Sequence, residues 1–227
     1  MAARILFTDW GGTLVQALRD PFPLYESVLR ARGIPVERSR FEIAWKTLPT
    51  ENAAAEHAFL GRTDAYWRAW DARVLKALGI SDSEGSISDG LRNEFVAPRW
   101  HAPFPETYEV LQRLIGRGYR IHIVSNNTED LRSIVSNLGW SDLFSSITFS
   151  QEVGAEKPDP RIFRLALHRA TVDPKGVWHV GDSWTADVQG ALGVGLSPIW
   201  LNRETSEAPA GVPTTPDLWG LLTLLTE

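Results

Sequence analysis

Four short segments of this 227-residue chain carry side chains that could do chemistry together. Asp9-Trp10-Gly11-Gly12-Thr13 ends one apolar run, and Ser125-Asn126-Asn127 ends a second. Lys157 lies in the loop Gly154-Ala155-Glu156-Lys157-Pro158-Asp159-Pro160, and Gly181-Asp182-Ser183-Trp184-Thr185-Ala186-Asp187 ends a third run. The set offers three carboxylates, one ammonium, hydroxyl and amide donors and a Gly-Gly turn, which suits an anionic phosphoryl group. Carboxylates alone repel a phosphate, so a hard dication must sit between them. Mg²⁺ takes oxygen ligands of the kind Asp9, Asp182 and Asp187 supply. Lys157 adds a point charge for the phosphate oxygens, and Ser125 and Asn126 donate hydrogen bonds. Gly11 and Gly12 let backbone N–H groups come close to an anion. A carboxylate can also attack phosphorus and form an aspartyl-phosphate.

Each segment alone has a plainer reading. Asp9-Trp10-Gly11-Gly12 is a strand-ending turn, and Ser125-Asn126-Asn127 is a helix cap before Glu129. Lys157 is a solvated loop lysine, and Asp182 caps a helix starting at Thr185. The plain readings leave unexplained why all four fall at strand ends on one edge of a sheet. Jointly they point to a phosphate-and-metal site.

The elements that must position these residues can be read from periodicity. Residues 4–8 form a buried strand. From about 24 to 96 the pattern is helical, with Tyr66, Trp67, Trp70, Val74 and Leu78 on one face of a helix that Gly79 closes. After polar and Pro-rich breaks at 81–88 and 98–105 the chain alternates. Helices are expected at 106–117, 129–138, 161–170 and 186–192, and strands at 119–124, 147–149, 176–180 and 198–201. A Pro-rich loop at 202–216 precedes a last helix beginning near Asp217. Such alternation implies a mostly parallel sheet with both faces covered, a doubly wound α/β fold. Parallel sheets place ligands beyond the carboxyl ends of their strands, where the four segments fall. The expected organisation is an α/β core of residues 1–16 and 100–227, with an all-helical domain of residues 17–99 inserted after its first strand.

Composition bounds the rest. Lys+Arg 23 against Asp+Glu 28 gives a formal charge of −5, a poor basis for binding nucleic acid or an anionic membrane surface. Cysteine is absent, which excludes thiol catalysis and cysteine-rich zinc sites. No segment approaches a transmembrane span, and the start reaches Asp9 too early for a signal peptide, so a cytoplasmic location is expected. The ten tryptophans run from Trp10 to Trp219 without a repeat and read mostly as packing.

The four segments, in this order, resemble the four motifs of the haloacid dehalogenase (HAD) superfamily of phosphohydrolases, with a helical cap between the first two. The resemblance implies a Rossmann-like core, Asp9 as nucleophile and Mg²⁺ held by Asp9, Asp182, Asp187 and the Gly11 carbonyl. It implies that Thr13 orients the first loop and that Lys157 neutralises nucleophile and phosphate. It implies phosphate contacts from Trp10, Gly11, Thr13, Ser125, Asn126 and Lys157. It further implies a small phosphorylated substrate, and a cap with hinges near 17–21 and 97–103 whose closure excludes water. A cap of this type is compatible with a monomer or a homodimer.

One position departs from the family. Its phosphatases typically carry D-x-D-x-T, with the second Asp as general acid and base, and here Gly11 stands at that place. The motif D-W-G-G-T is similar to the D-x-A-G-T of phosphonoacetaldehyde hydrolases, whose chemistry runs through a cap lysine; Lys46 is the candidate. The cap segment Gly61-Arg62-Thr63-x-x-Tyr66-Trp67-x-x-Trp70 instead resembles the rhythmically-expressed-gene-like hydrolases. His57 and His101 are candidates to replace the missing acid, whereas His179, inside a strand, reads as sheet packing. A Mg²⁺-dependent phosphatase is therefore the leading expectation. A phosphonate hydrolase, a catalytically weak phosphate- or partner-binding member and a metal-independent 2-haloacid dehalogenase are the alternatives.

Overall fold

Ile5, Leu6, Phe7 and Thr8 are all buried, as a strand covered on both faces of a parallel sheet requires. They belong to β1 (Arg4–Thr8) in the computed structural model, which describes residues 4–16, 20–48, 63–127, 130–204 and 211–225, with the backbone alone for 63–66. The other strands are β2 (Tyr119–Ser125), β3 (Ser146–Phe149), β4 (Val177–Gly181), β5 (Ser197–Leu201) and β6 (Thr214–Thr215). Among the described residues they form one sheet in the order β3-β2-β1-β4-β5-β6, and every pairing is parallel.

That order matters for the site. The chain steps from β1 outward through β2 to β3, then returns to the other side of β1 with β4. The carboxyl ends of β1 and β4 therefore flank the point where the winding reverses, the usual ligand crevice of an open α/β sheet. Thr8 pairs with Val180, so Asp9 and Gly181-Asp182 emerge side by side.

Chain contacts divide the protein into two compact units, one of Met1–Ala17 with His101–Glu227 and one of Leu18–Trp100. The first holds the sheet and its helices α5 (Thr107–Gly116), α6 (Asp130–Asn137), the single turn α7 (Ser150–Val153) and α8 (Pro160–Ala170). Helix α8 follows helical spacing closely, burying Ile162, Phe163, Ala166, Leu167 and Ala170 beside Ile5, Phe7 and Val177. Asp159 caps it by accepting the Arg161 N–H at 2.9 Å, with Pro160 in its first turn. The second unit is helical, with α1 (Phe22–Arg30), α2 (Arg38–Thr47), α3 (Thr63–Ala77) and α4 (Ser86–Phe95). Its core gathers Phe22, Leu24, Tyr25, Val28, Leu29, Phe41, Val74, Leu75, Leu78 and Leu91. Trp70 packs edge-on against Trp45 at 5.4 Å, within this core.

Two local expectations gain detail and one, Thr214–Thr215, is corrected. The helix expected at 186–192 is a π-helical stretch, Trp184–Gln189, continued by the single turn α9 (Gly190–Gly193). Thr214–Thr215, expected as loop, adds a short strand through Asn202 N–H to the Thr215 carbonyl at 2.9 Å. The last helical segment begins at Asp217 as expected, with Asp217 capping a 3₁₀ turn (Leu218–Gly220) that runs into α10 (Leu221–Leu224). Among the described residues no helix is long and apolar enough to cross a membrane.

Candidate active site

Asp9 is the first residue beyond β1, anchored by its backbone N–H to the Val180 carbonyl at 2.9 Å. The loop after it turns tightly, with Leu14 and Val15 N–H groups donating to the Trp10 carbonyl. Gly12 makes the turn at φ +81°, a left-handed conformation that favours glycine. A Cβ there would meet Oδ2 of Asp182 at 2.3 Å, so the bare backbone is also what admits that carboxylate. The Thr13 hydroxyl donates to Asp182 Oδ1 at 3.3 Å, and its own carbonyl accepts from Arg203 at 3.2 Å. At Gly11 nothing lies within 4 Å of a would-be Cβ.

Lys157 is buried, not a solvated loop lysine. Its Nζ lies 2.6 Å from Asp9 Oδ1 and 2.6 Å from Asp187 Oδ1. Asn126 holds the lysine in place from across the sheet edge. Its side-chain oxygen accepts the Lys157 backbone N–H at 2.7 Å, and its amide donates to the Lys157 carbonyl at 3.1 Å. The Asn126 side chain, expected to meet phosphate, is thus committed to the Lys157 backbone. Ser125 is buried at the end of β2.

Asp187 is the most heavily bonded of the carboxylates. Oδ1 accepts from Lys157 and from His179 Nε2 at 2.9 Å, and Oδ2 accepts the Ser183 N–H at 3.1 Å. Gly181 makes room for it, since a Cβ there would fall 2.1 Å from Asp187 Cγ. The helix cap is Ser183, whose hydroxyl accepts the Ala186 N–H at 3.2 Å, and not Asp182. Asp182 is left exposed beside the loop.

The electrostatics follow from one ammonium among three carboxylates. Burial works against Asp187, yet Lys157 and His179 overcome it and hold its carboxyl below the usual range. Burial raises Asp9, and although Lys157 pulls the other way the net shift is upward, with the Asp187 charge adding to it. Although Asp182 as a residue is exposed, partial desolvation of its carboxyl group, with the charges of Asp9 and Asp187, pushes it up to about 6. Lys157 would be lowered by burial, but its two carboxylate partners lift it to about 12. One oxygen from each of Asp9, Asp182 and Asp187 can be chosen so that all lie within 4.8 Å of one another. The donors are all hard oxygens, and their negative charge exceeds what Lys157 supplies. That chemistry fits Mg²⁺, which favours carboxylate and carbonyl oxygens and keeps water in its shell.

A family model for haloacid dehalogenase-like hydrolases matches residues 3–195. The chain belongs to that family. It is therefore a hydrolase by family, with relatives along most of its length. It is 33% identical over 204 residues to the haloacid dehalogenase-like hydrolase domain-containing protein 3 of Mus musculus, covering 85% of this chain and 79% of the relative. It is 35% identical over 184 residues to a phosphoserine phosphatase of Thermus thermophilus, covering 81% and 71%. The structure of magnesium-bound YfnB from Bacillus subtilis shares the fold, with a TM-score of 0.75 at 20% identity over 98% of both chains.

Trp10 is buried against Trp140 and Phe144, with ring centroids 6.1 and 6.5 Å away, so its indole serves packing and only its backbone is left for an anion. Lys46 is exposed on α2, and His101 is buried. His57 and the side chain of Tyr66 lie outside the described residues. His179 is the residue that sequence reasoning underrated: its strand position read as packing, and its bond to Asp187 depends on an eight-residue return of the chain.

Proposed function

We propose that the protein is a Mg²⁺-dependent phosphatase that cleaves a small phosphorylated metabolite through an aspartyl-phosphate on Asp9. The observation that carries this reading is Lys157 seated against Asp9 within a cluster of three carboxylates at the sheet's reversal point. The phosphoserine phosphatase among the relatives supports it.

An oxygen of Asp9 attacks phosphorus, the bond to the leaving oxygen breaks, and its electron pair stays with the leaving group. Water then cleaves the aspartyl-phosphate at phosphorus, returning the carboxylate and releasing inorganic phosphate. Lys157 holds Asp9 in place and offers its charge to the phosphoryl oxygens. Asp9, Asp182, Asp187 and the Gly11 carbonyl would hold Mg²⁺, which when bound offsets the charge that builds on the phosphoryl group. Gly11 gives the leaving group no proton, so leaving groups that depart as stable anions are favoured.

Acetyl phosphate with Mg²⁺ tests the covalent step. Rapid acid quenching followed by peptide mass analysis should find one phosphoryl group on the Asp9 peptide and none in Asp9→Asn. An unmodified Asp9 peptide during steady turnover would exclude it as nucleophile.

A further inference from the structure

His179 occupies an interior position of β4 under α8, fully buried, with its ring edge-on to Phe163 at 5.2 Å. Its neighbours there include Val177, Phe163 and Phe7, a setting in which an apolar side chain would be cheaper to bury. Its one hydrogen bond runs from Nε2 to Asp187 Oδ1 at 2.9 Å, and Nδ1 has no partner among the described residues. The imidazole thus accepts a cost in stability and makes a single directed contact. That contact falls on the same oxygen that holds Lys157 Nζ at 2.6 Å, and the same ammonium holds Asp9 Oδ1 at 2.6 Å.

We infer that His179 is a positioning residue: its Nε2–H fixes the Asp187 carboxylate so that Lys157 is held against Asp9. The inference takes Asp9 and Lys157 as the reacting pair from the reading above. Its geometric content, a linear chain of contacts from His179 to Asp9, holds whatever the substrate. With Asp187 Oδ1 engaged by the imidazole and Oδ2 by the Ser183 N–H, the carboxylate keeps one orientation, and Lys157 is shared between two fixed partners. Without the imidazole, only the Ser183 N–H at Oδ2 fixes the carboxylate, and Oδ1 is free to swing about that contact and draw the ammonium away from Asp9.

The test uses the full chain, uniformly ¹⁵N-labelled, without substrate or metal. A buried, doubly bonded ammonium exchanges its protons slowly, so Lys157 Nζ should give a distinct NMR signal. His179→Leu and His179→Asn both lose the contact, the second because its amide is too short to reach Asp187. His179→Gln places an amide N–H near the position of Nε2 and keeps it. The expected result is at least tenfold faster exchange at Lys157 in the Leu and Asn variants that fold, and near-parental exchange in the Gln variant. The parallel result in acetyl phosphate hydrolysis is a lower kcat with little change in KM, again rescued by Gln. Unchanged exchange in Leu or Asn, or Gln behaving like Leu, overturns the inference. Absence of turnover in the parent would instead overturn the phosphatase reading and leave the exchange result to decide this one.

Discussion

Lys157 reaches Asp9 from a loop 148 residues further along the chain and lies 2.6 Å from its Oδ1, with both side chains buried. The same ammonium faces Asp187, so removing it leaves two buried carboxylates without their shared counter-charge. Lys157→Met should therefore destabilise the protein at pH 7 by about 3–5 kcal/mol, the usual cost of breaking a buried ion pair from one side. Urea unfolding without added Mg²⁺ measures it. A loss below about 1 kcal/mol would mean the pair is not buried in solution.

Gly11 offers the clearest gain-of-function site. A Cβ there meets nothing within 4 Å, and its φ is outside the left-handed region, so Gly11→Asp should fold as the parent does. General acid–base help is typically worth ~10²–10⁴ in rate. The variant should speed hydrolysis of alkyl phosphates by roughly tenfold or more, a conservative share of that range, and barely affect acyl phosphates. Equal rates for both substrate classes in parent and variant would show that another residue already supplies the proton.

Gly12 should tolerate nothing larger. Gly12→Ala combines a strained φ with a contact of 2.3 Å to Asp182 Oδ2, so the carboxylate must move. We expect a lower melting temperature and Mg²⁺ affinity weakened at least several-fold in calorimetry. Parental Mg²⁺ binding in this variant would show that Asp182 is not a ligand.

Tyr25 donates to Asp71 inside the helical unit, where burial pushes the Asp71 carboxyl up to about 6. Unfolded, the same group titrates near its ordinary value of 3.8. The folded state thus binds the extra proton between those values, and its contribution is full below pH 4 and lost as pH rises through 6. Asp71→Asn still accepts the Tyr25 hydroxyl and should flatten this part of the profile, raising stability at pH 7 relative to the parent. Melting temperatures of both proteins from pH 4 to 8 measure the difference; a difference that stays constant with pH would contradict it.

Three of the segments and their strand-end placement were legible because each follows a short apolar run and carries a residue type out of keeping with it; the Lys157 loop follows β3 only after the single turn α7. Strand alternation likewise marked the α/β core and helical periodicity the inserted block. What the sequence concealed is set by tertiary pairing. That β4 returns beside β1, bringing Asp182 to Gly12, depends on sheet order, which no local pattern encodes. Asn126 looked like a phosphate donor because its type allows it, and the fold commits its amide to the Lys157 backbone. His179 carried no spacing signal at all, because its partner lies eight residues on around a π-helical turn rather than along a regular helix. The two-residue β6 is too short to show alternation.

The central claim, phosphate ester hydrolysis that depends on Mg²⁺ and on Asp9, is tested most directly by phosphate release from a panel of small phosphate esters. The panel should include acyl, aryl and alkyl leaving groups, assayed with Mg²⁺ or with a chelator, in the parent protein and in Asp9→Asn. Turnover of at least the acyl and aryl members is expected, lost with the chelator and in Asp9→Asn. Phosphate release no higher in the parent than in Asp9→Asn, across the whole panel, would contradict it.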